Sequence, residues 1–130
     1  MIAAFLLQVA DAPTSPPPLP NDWSALPALP YVAPRQATPQ VTAFVAGEIA
    51  GGRCTAQRPA DGHYILPVEV ATLVGVDGTL RRVVPRAIAC PTIEQYAAGL
   101  VTGFARGNVA QYKPSTDTWY RTTIVFDWRE

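Results

Sequence analysis

The chain has no surplus of charge of either sign: ten basic and ten acidic residues cancel over its 130 positions. Without a basic excess there is no electrostatic footprint for a polyanion, so nucleic acid is not an expected partner. Histidine occurs once, at His63, and the only cysteines, Cys54 and Cys90, lack the short spacing to each other or to a histidine that a zinc site needs. No metal and no cofactor is expected. Serine is scarce as well: Ser15, Ser24 and Ser115 are the whole set, and none lies in a nucleophile elbow. Glu48, Asp61, Glu69, Asp77, Glu94, Asp117 and Asp127 fall on separate elements, which leaves no paired carboxylates for acid–base work. One loop, Asp61-Gly62-His63, could offer a base and its orienter, but such Asp-Gly-His loops arise for turn reasons alone. The residue set is not that of an enzyme.

Long apolar runs are also missing. Met1 to Ala10 supplies about half of the roughly 20 apolar residues that a spanning helix needs. The stretch does resemble the tail of a secretory signal, since Ala10, Asp11 and Ala12 give a small-x-small pattern after it, although no Lys or Arg precedes it. Residues 1–12 are therefore read as a signal-like segment, and the protein is expected to be periplasmic or secreted.

What the chain has in abundance is proline, and unevenly: nine of its 14 prolines fall at or before Pro39. Residues 13–39 show no sustained apolar periodicity, so they are expected to bury too little to offset their ordering entropy and to act as a linker. Residues 40–130 are the expected domain. A segment of that size hides only about 60% of its unfolded surface, so a covalent staple would help. A Cys54–Cys90 bridge is the natural candidate, with two buried thiols as the alternative.

Inside the domain the hydrophobic period changes three times. Thr38 and Pro39 read as an N-cap and first helical residue, followed by Val41, Phe44, Val45 and Ile49 at helical spacing and stopped by Gly51 and Gly52. Val68, Val70, Thr72, Val74 and Val76 then alternate with Glu69, Ala71, Leu73 and Gly75, as a strand does. Asp77-Gly78 predicts a type I′ hairpin turn, with positive φ at both residues, into a second strand from Thr79 to Val84. Ile93, Tyr96, Ala97, Leu100, Val101 and Phe104 form the stripe of a second helix that ends at Gly107 and Asn108. The last strand runs from Thr118 to Trp128, with Tyr120, Thr122, Ile124, Phe126 and Trp128 opposite Trp119, Arg121, Thr123, Val125 and Asp127. A helical crossover after the second strand returns the third beside the first, predicting an α+β fold. Its β-β-α-β core is a three-stranded antiparallel sheet in order 2-1-3, with two helices on one face and the C-terminal strand at an edge.

These residues resemble the C-terminal domain of TonB, the periplasmic energy transducer. The run VEVATLVGVDGTLRRVVP is similar to that family's strand, Asp-Gly turn and strand. PTIEQYAAGLVTGFA sits where the family has its helix, QYKPS is similar to its aromatic, basic, proline junction, and WYRTTIVFDW is similar to its final strand. The proline-rich spacer fits too, although at roughly 80 Å if fully polyproline II it is short, and no full membrane anchor accompanies it. The resemblance implies a protein-binding module that takes an extended segment of an outer-membrane receptor by strand addition. By position the contact residues would be Tyr112, Lys113, Pro114, Trp119, Arg121, Thr123, Val125 and Asp127. For Trp119, core and contact surface remain equal readings. The alternative function is a structural envelope protein that self-associates, a homodimer formed through the same edge strand.

Overall fold

The computed structural model describes residues 16–110 and 116–130. Two helices and three strands follow one another as α1 (Pro39–Ala50), β1 (His63–Val74), β2 (Leu80–Pro85), α2 (Pro91–Ala105) and β3 (Thr118–Arg129). The sheet has the order β2-β1-β3, and β1 runs antiparallel to both neighbours. This is the α+β arrangement expected from the order of periods. Among the described residues no helix is long and apolar enough to cross a membrane.

Local chemistry accounts for the helix ends. The Thr38 hydroxyl accepts the Val41 N–H at 3.3 Å while Pro39, which has no N–H to leave unpaired, opens α1. Glu94, in the first turn of α2, reaches back so that one carboxylate oxygen accepts the N–H groups of Ile88 and Cys90 at 3.1 and 3.0 Å. Past α2, Gly107 takes φ 63°, and Asn108 Nδ2 donates to the Phe104 carbonyl at 3.0 Å.

Two details of the strands differ from expectation. β1 begins at His63, five residues before Val68, and thus contains Pro67. Proline is tolerated there because its nitrogen points away from β3, on the side of β1 that β2 leaves unpaired beyond Val70. The hairpin turn is not type I′: Gly78 alone has positive φ, at 83°, and its N–H donates to Gly75 O at 2.9 Å. The connection is Val76-Asp77-Gly78, closed by Gly75 N–H to Thr79 O at 2.8 Å, and one left-handed glycine suffices for a loop of this length. Asp77 keeps its carboxylate below the usual range by accepting the Thr79 hydroxyl and N–H.

Both helices pack on the same face. Val45 of α1 and Ile93, Ala97 and Val101 of α2 meet Val68, Val70, Val74, Ile124 and Phe126 of the sheet. α1 is rotated from its expected stripe, with Thr42, Val45 and Glu48 innermost and Phe44 outside, its ring tilted by 39° against that of Tyr96 at 4.4 Å between ring centres. A disulfide joins Cys54 to Cys90, with their Cα atoms 5.4 Å apart, and ties the loop after α1 to the start of α2.

The expectation that residues 13–39 bury too little to become ordered fails for the described part of that stretch. Trp23 and Leu29 are 7% and 6% exposed. Leu29 joins the helix-side core, whereas Trp23, with Leu19 and Leu26, covers Ala71, Leu73 and Trp119 on the opposite face of the sheet. Proline density misled here because anchoring needs only a few large apolar residues at irregular spacing, and periodicity does not detect those.

Thr72 is fully buried in the central strand and its hydroxyl is the one buried side-chain oxygen that finds no partner among the described residues. Thr72→Val keeps the shape and removes the desolvated hydroxyl, so the unfolding free energy should rise by about 1 kcal/mol. Thermal denaturation would read this as a gain of about 4–8 °C. A loss of stability would show that the hydroxyl is bonded after all.

Candidate functional site

The direction of every backbone group along β3 follows from one residue. Arg121 donates its N–H to Pro27 O at 2.8 Å and accepts the Leu29 N–H at 2.9 Å, so both groups face away from β1. In an antiparallel pair this orientation repeats every second residue. Trp119, Thr123, Val125 and Asp127 therefore also turn their N–H and C=O groups outward, while Thr122, Ile124 and Phe126 bond to β1. Arg86 N–H donating to Glu69 O at 2.8 Å, on the far side of β1, agrees with this phase, because Glu69 is paired with Thr123.

The edge divides into two halves. At Arg121 it is occupied by the chain's own Pro27, Ala28 and Leu29, of which Ala28 forms a parallel bridge to Arg121. Pro27 has no N–H to donate toward Trp119, and the Leu29 carbonyl accepts the Tyr31 N–H at 2.9 Å instead of one from Thr123, so this short ladder stops at both ends. The segment then turns off to the loop after α2: Val32 N–H donates to Asn108 O, Ala110 N–H to Pro30 O, and the Asn108 carboxamide bonds both the N–H and the C=O of Ala33 at 2.8 Å. A cleft lined by Leu29, Pro30, Tyr31, Arg121 and Thr123 opens where it departs, and burial there pushes the Tyr31 phenol up. From Thr123 to Asp127, no backbone group of the described residues occupies the outward side.

The side chains of this open half are informative. Val125 is 46% exposed, and Ile65, on the same face of neighbouring β1, is 60% exposed; Pro67, paired with Val125, lies between them. At one end of the patch His63 Nε2 meets Asp127 Oδ1 at 2.6 Å, and at the other Arg121 and Arg86 flank Glu69 at 3.3 and 3.8 Å. An apolar strip between two polar borders is thus presented beside free backbone groups. The other sheet edge is different. β2 is six residues long and carries Arg81 and Arg82, features that blunt an edge against further pairing.

Of the eight residues expected to contact a partner, Thr123, Val125 and Asp127 lie together on the open half. Arg121 lies on the occupied half, in an ion pair with Glu69. Trp119 is buried under Trp23 and Leu19, and its indole N–H donates to Pro17 O at 2.6 Å. Tyr112, Lys113 and Pro114 lie outside the described residues. Ile65 and Pro67 were not foreseen, because the strand had been expected to start after them; the alternating Tyr64, Leu66 and Val68 was the available signal. His63 uses Asp61 for a local turn, accepting nothing from it: the His63 N–H donates to Asp61 Oδ1 at 3.1 Å, and the ring's partner is Asp127. Among the described residues, no three His, Cys, Asp or Glu side chains stand close enough to hold a metal ion.

No family model, no curated protein and no solved structure matches this chain.

Proposed function

We propose that the chain is a protein-binding module of the cell envelope that accepts an extended peptide on the β3 edge between Thr123 and Asp127. The observation that carries this reading is the outward row of N–H and C=O groups at Thr123, Val125 and Asp127, flanked by exposed Val125 and Ile65. Main-chain hydrogen bonds would supply affinity, and the strip of Ile65, Pro67 and Val125 would select an apolar residue at alternate positions of the incoming strand. The Cys54–Cys90 bridge supports an oxidising compartment, hence a periplasmic or secreted location. By its resemblance to the TonB C-terminal domain, in motif order and in its last strand, the module would take a short segment of an outer-membrane receptor.

The full chain, used as bait on an envelope extract, tests this against Val125→Pro and Val125→Thr. Proline removes an outward donor without breaking a bond to β1, so it should abolish capture while costing about 1 kcal/mol or less of stability. Threonine keeps the backbone and should retain capture. Equal capture by all three proteins would rule out strand addition. A dimer that survives dilution in light scattering would show instead that a second copy already fills the edge.

A further inference from the structure

The occupied half of the edge continues into a second surface. Upstream of Pro27, the leader crosses the face of the sheet opposite the helices, where Trp23, Leu19 and Leu26 lie on Ala71, Leu73, Val84 and Trp119. Its hold there rests on few polar contacts. The Trp119 indole N–H donates to Pro17 O at 2.6 Å, Arg86 donates to Asn21 O at 3.5 Å, and Arg121 N–H donates to Pro27 O. The Arg86 guanidinium sits over the Trp23 ring at 4.8 Å, while the Asp22 carboxylate accepts the Ser24 N–H and hydroxyl at 2.9 and 2.6 Å. Downstream the attachment is firmer, because Leu29 is in the main core and Asn108 clamps Ala33.

We propose that residues 17–27 are a displaceable intramolecular ligand, hinged at Ala28, and that the surface beneath them binds in trans an extended, proline-interrupted segment carrying an aromatic anchor. Four observations specify this occupant. An indole N–H aimed at a carbonyl beside prolines is how aromatic grooves read polyproline II segments, and the three consecutive prolines 16–18 hold the backbone in that form. The floor of Leu73 and Ala71 accommodates one large ring. Arg86 complements the ring face. The Pro27 carbonyl shows that the segment ends as a β3 partner. Release would join the Arg121 N–H to the open groups at Thr123, Val125 and Asp127, and in that respect the proposal rests on the reading of β3 as an accepting edge. Tethering in cis gives the leader an effective concentration in the millimolar range, which masks the surface in the resting chain.

Amide hydrogen exchange on the full chain tests this without any outside partner. In Trp23→Ala the Arg121 amide should exchange at least tenfold faster, while Leu29, Thr122 and Ile124 stay protected. A synthetic peptide of residues 16–27 should then bind Trp23→Ala at least tenfold more tightly than the native chain and restore protection at Arg121. Should Trp23→Ala also expose Ile124, and so have loosened the whole sheet, Arg86→Gln removes the cation above the ring together with its contacts to Asn21 O and Glu69, leaves the buried core untouched, and should speed Arg121 exchange about threefold. Unchanged Arg121 protection in the variants that keep the sheet intact, or equal peptide binding by variant and native chain, overturns the proposal. Failure of strand addition in the Val125→Pro experiment leaves these readouts untouched, so the two ideas fail separately.

Discussion

Replacing Cys54 and Cys90 together by alanine should lower the unfolding free energy by about 4 kcal/mol, from the chain entropy of a 36-residue loop. The loop encloses all of β1 and β2, so the bridge restrains the hairpin in the unfolded ensemble and joins α1 to α2 in the folded one. Both cysteines are buried, and their surroundings leave little room to relax. The Thr92 hydroxyl lies 3.7 and 3.6 Å from the two sulfurs and donates to Glu48 Oε2 at 3.0 Å, while Glu48 Oε1 accepts from Arg53 at 2.9 Å. Loss of the bridge would loosen Glu48, the buried carboxylate on the inner face of α1. A domain of this size has about 5–15 kcal/mol in all, so the double variant should unfold at a much lower urea midpoint. Reducing the native protein should lower the midpoint similarly. An unchanged midpoint under reduction would mean that the bridge does not form in solution.

Phe126→Ala should cost about 3–5 kcal/mol, whereas Val125→Ala, one residue away, should stay within about 0.5 kcal/mol. The contrast is a direct consequence of strand alternation. Phe126 is 0% exposed, at the centre of the helix-side core, with its ring 6.2 Å from that of Tyr96. Removing it leaves a cavity bounded by both helices. Tyr96 is held in place by its own hydroxyl, which donates to Val41 O at 2.8 Å, so it cannot readily move in to fill the gap. Val125 points to the open face and has little packing to lose. Chemical denaturation of the two variants in parallel gives the comparison, and similar losses for both would mean that the exposed strip is covered in solution.

Much of the architecture was legible because it depends on neighbours in the sequence. Thr38-Pro39 marks a helix start through the missing N–H of proline and the acceptor on threonine, whatever lies elsewhere in the chain. The stripe from Ile93 to Phe104 specifies which face of α2 is buried. The alternation from Trp119 to Trp128 makes a strand, and the crossover rule then places it beside β1 rather than β2. Position along β3 was sufficient to single out Thr123, Val125 and Asp127 as residues sharing one face.

The start of β1 was less legible, since Pro67 reads as an interruption until the register shows that its nitrogen needs no partner. The hairpin was located correctly but its turn type was not, because Asp-Gly occurs in three-residue loops as well as two-residue ones. The leader was the largest miss. Its role depends on contacts such as Trp119 with Pro17, 102 residues apart, and on two aromatic rings sharing one patch of sheet. Periodicity, capping and turn chemistry act over a few residues, so the sequence by itself determined the elements, their order and the pairing pattern of the sheet. Tertiary structure alone decided that the proline-rich segment lies against the sheet, and so how much of the β3 edge is free. That outcome depends on the sum of apolar surfaces far apart in the chain, and no local window contains that sum.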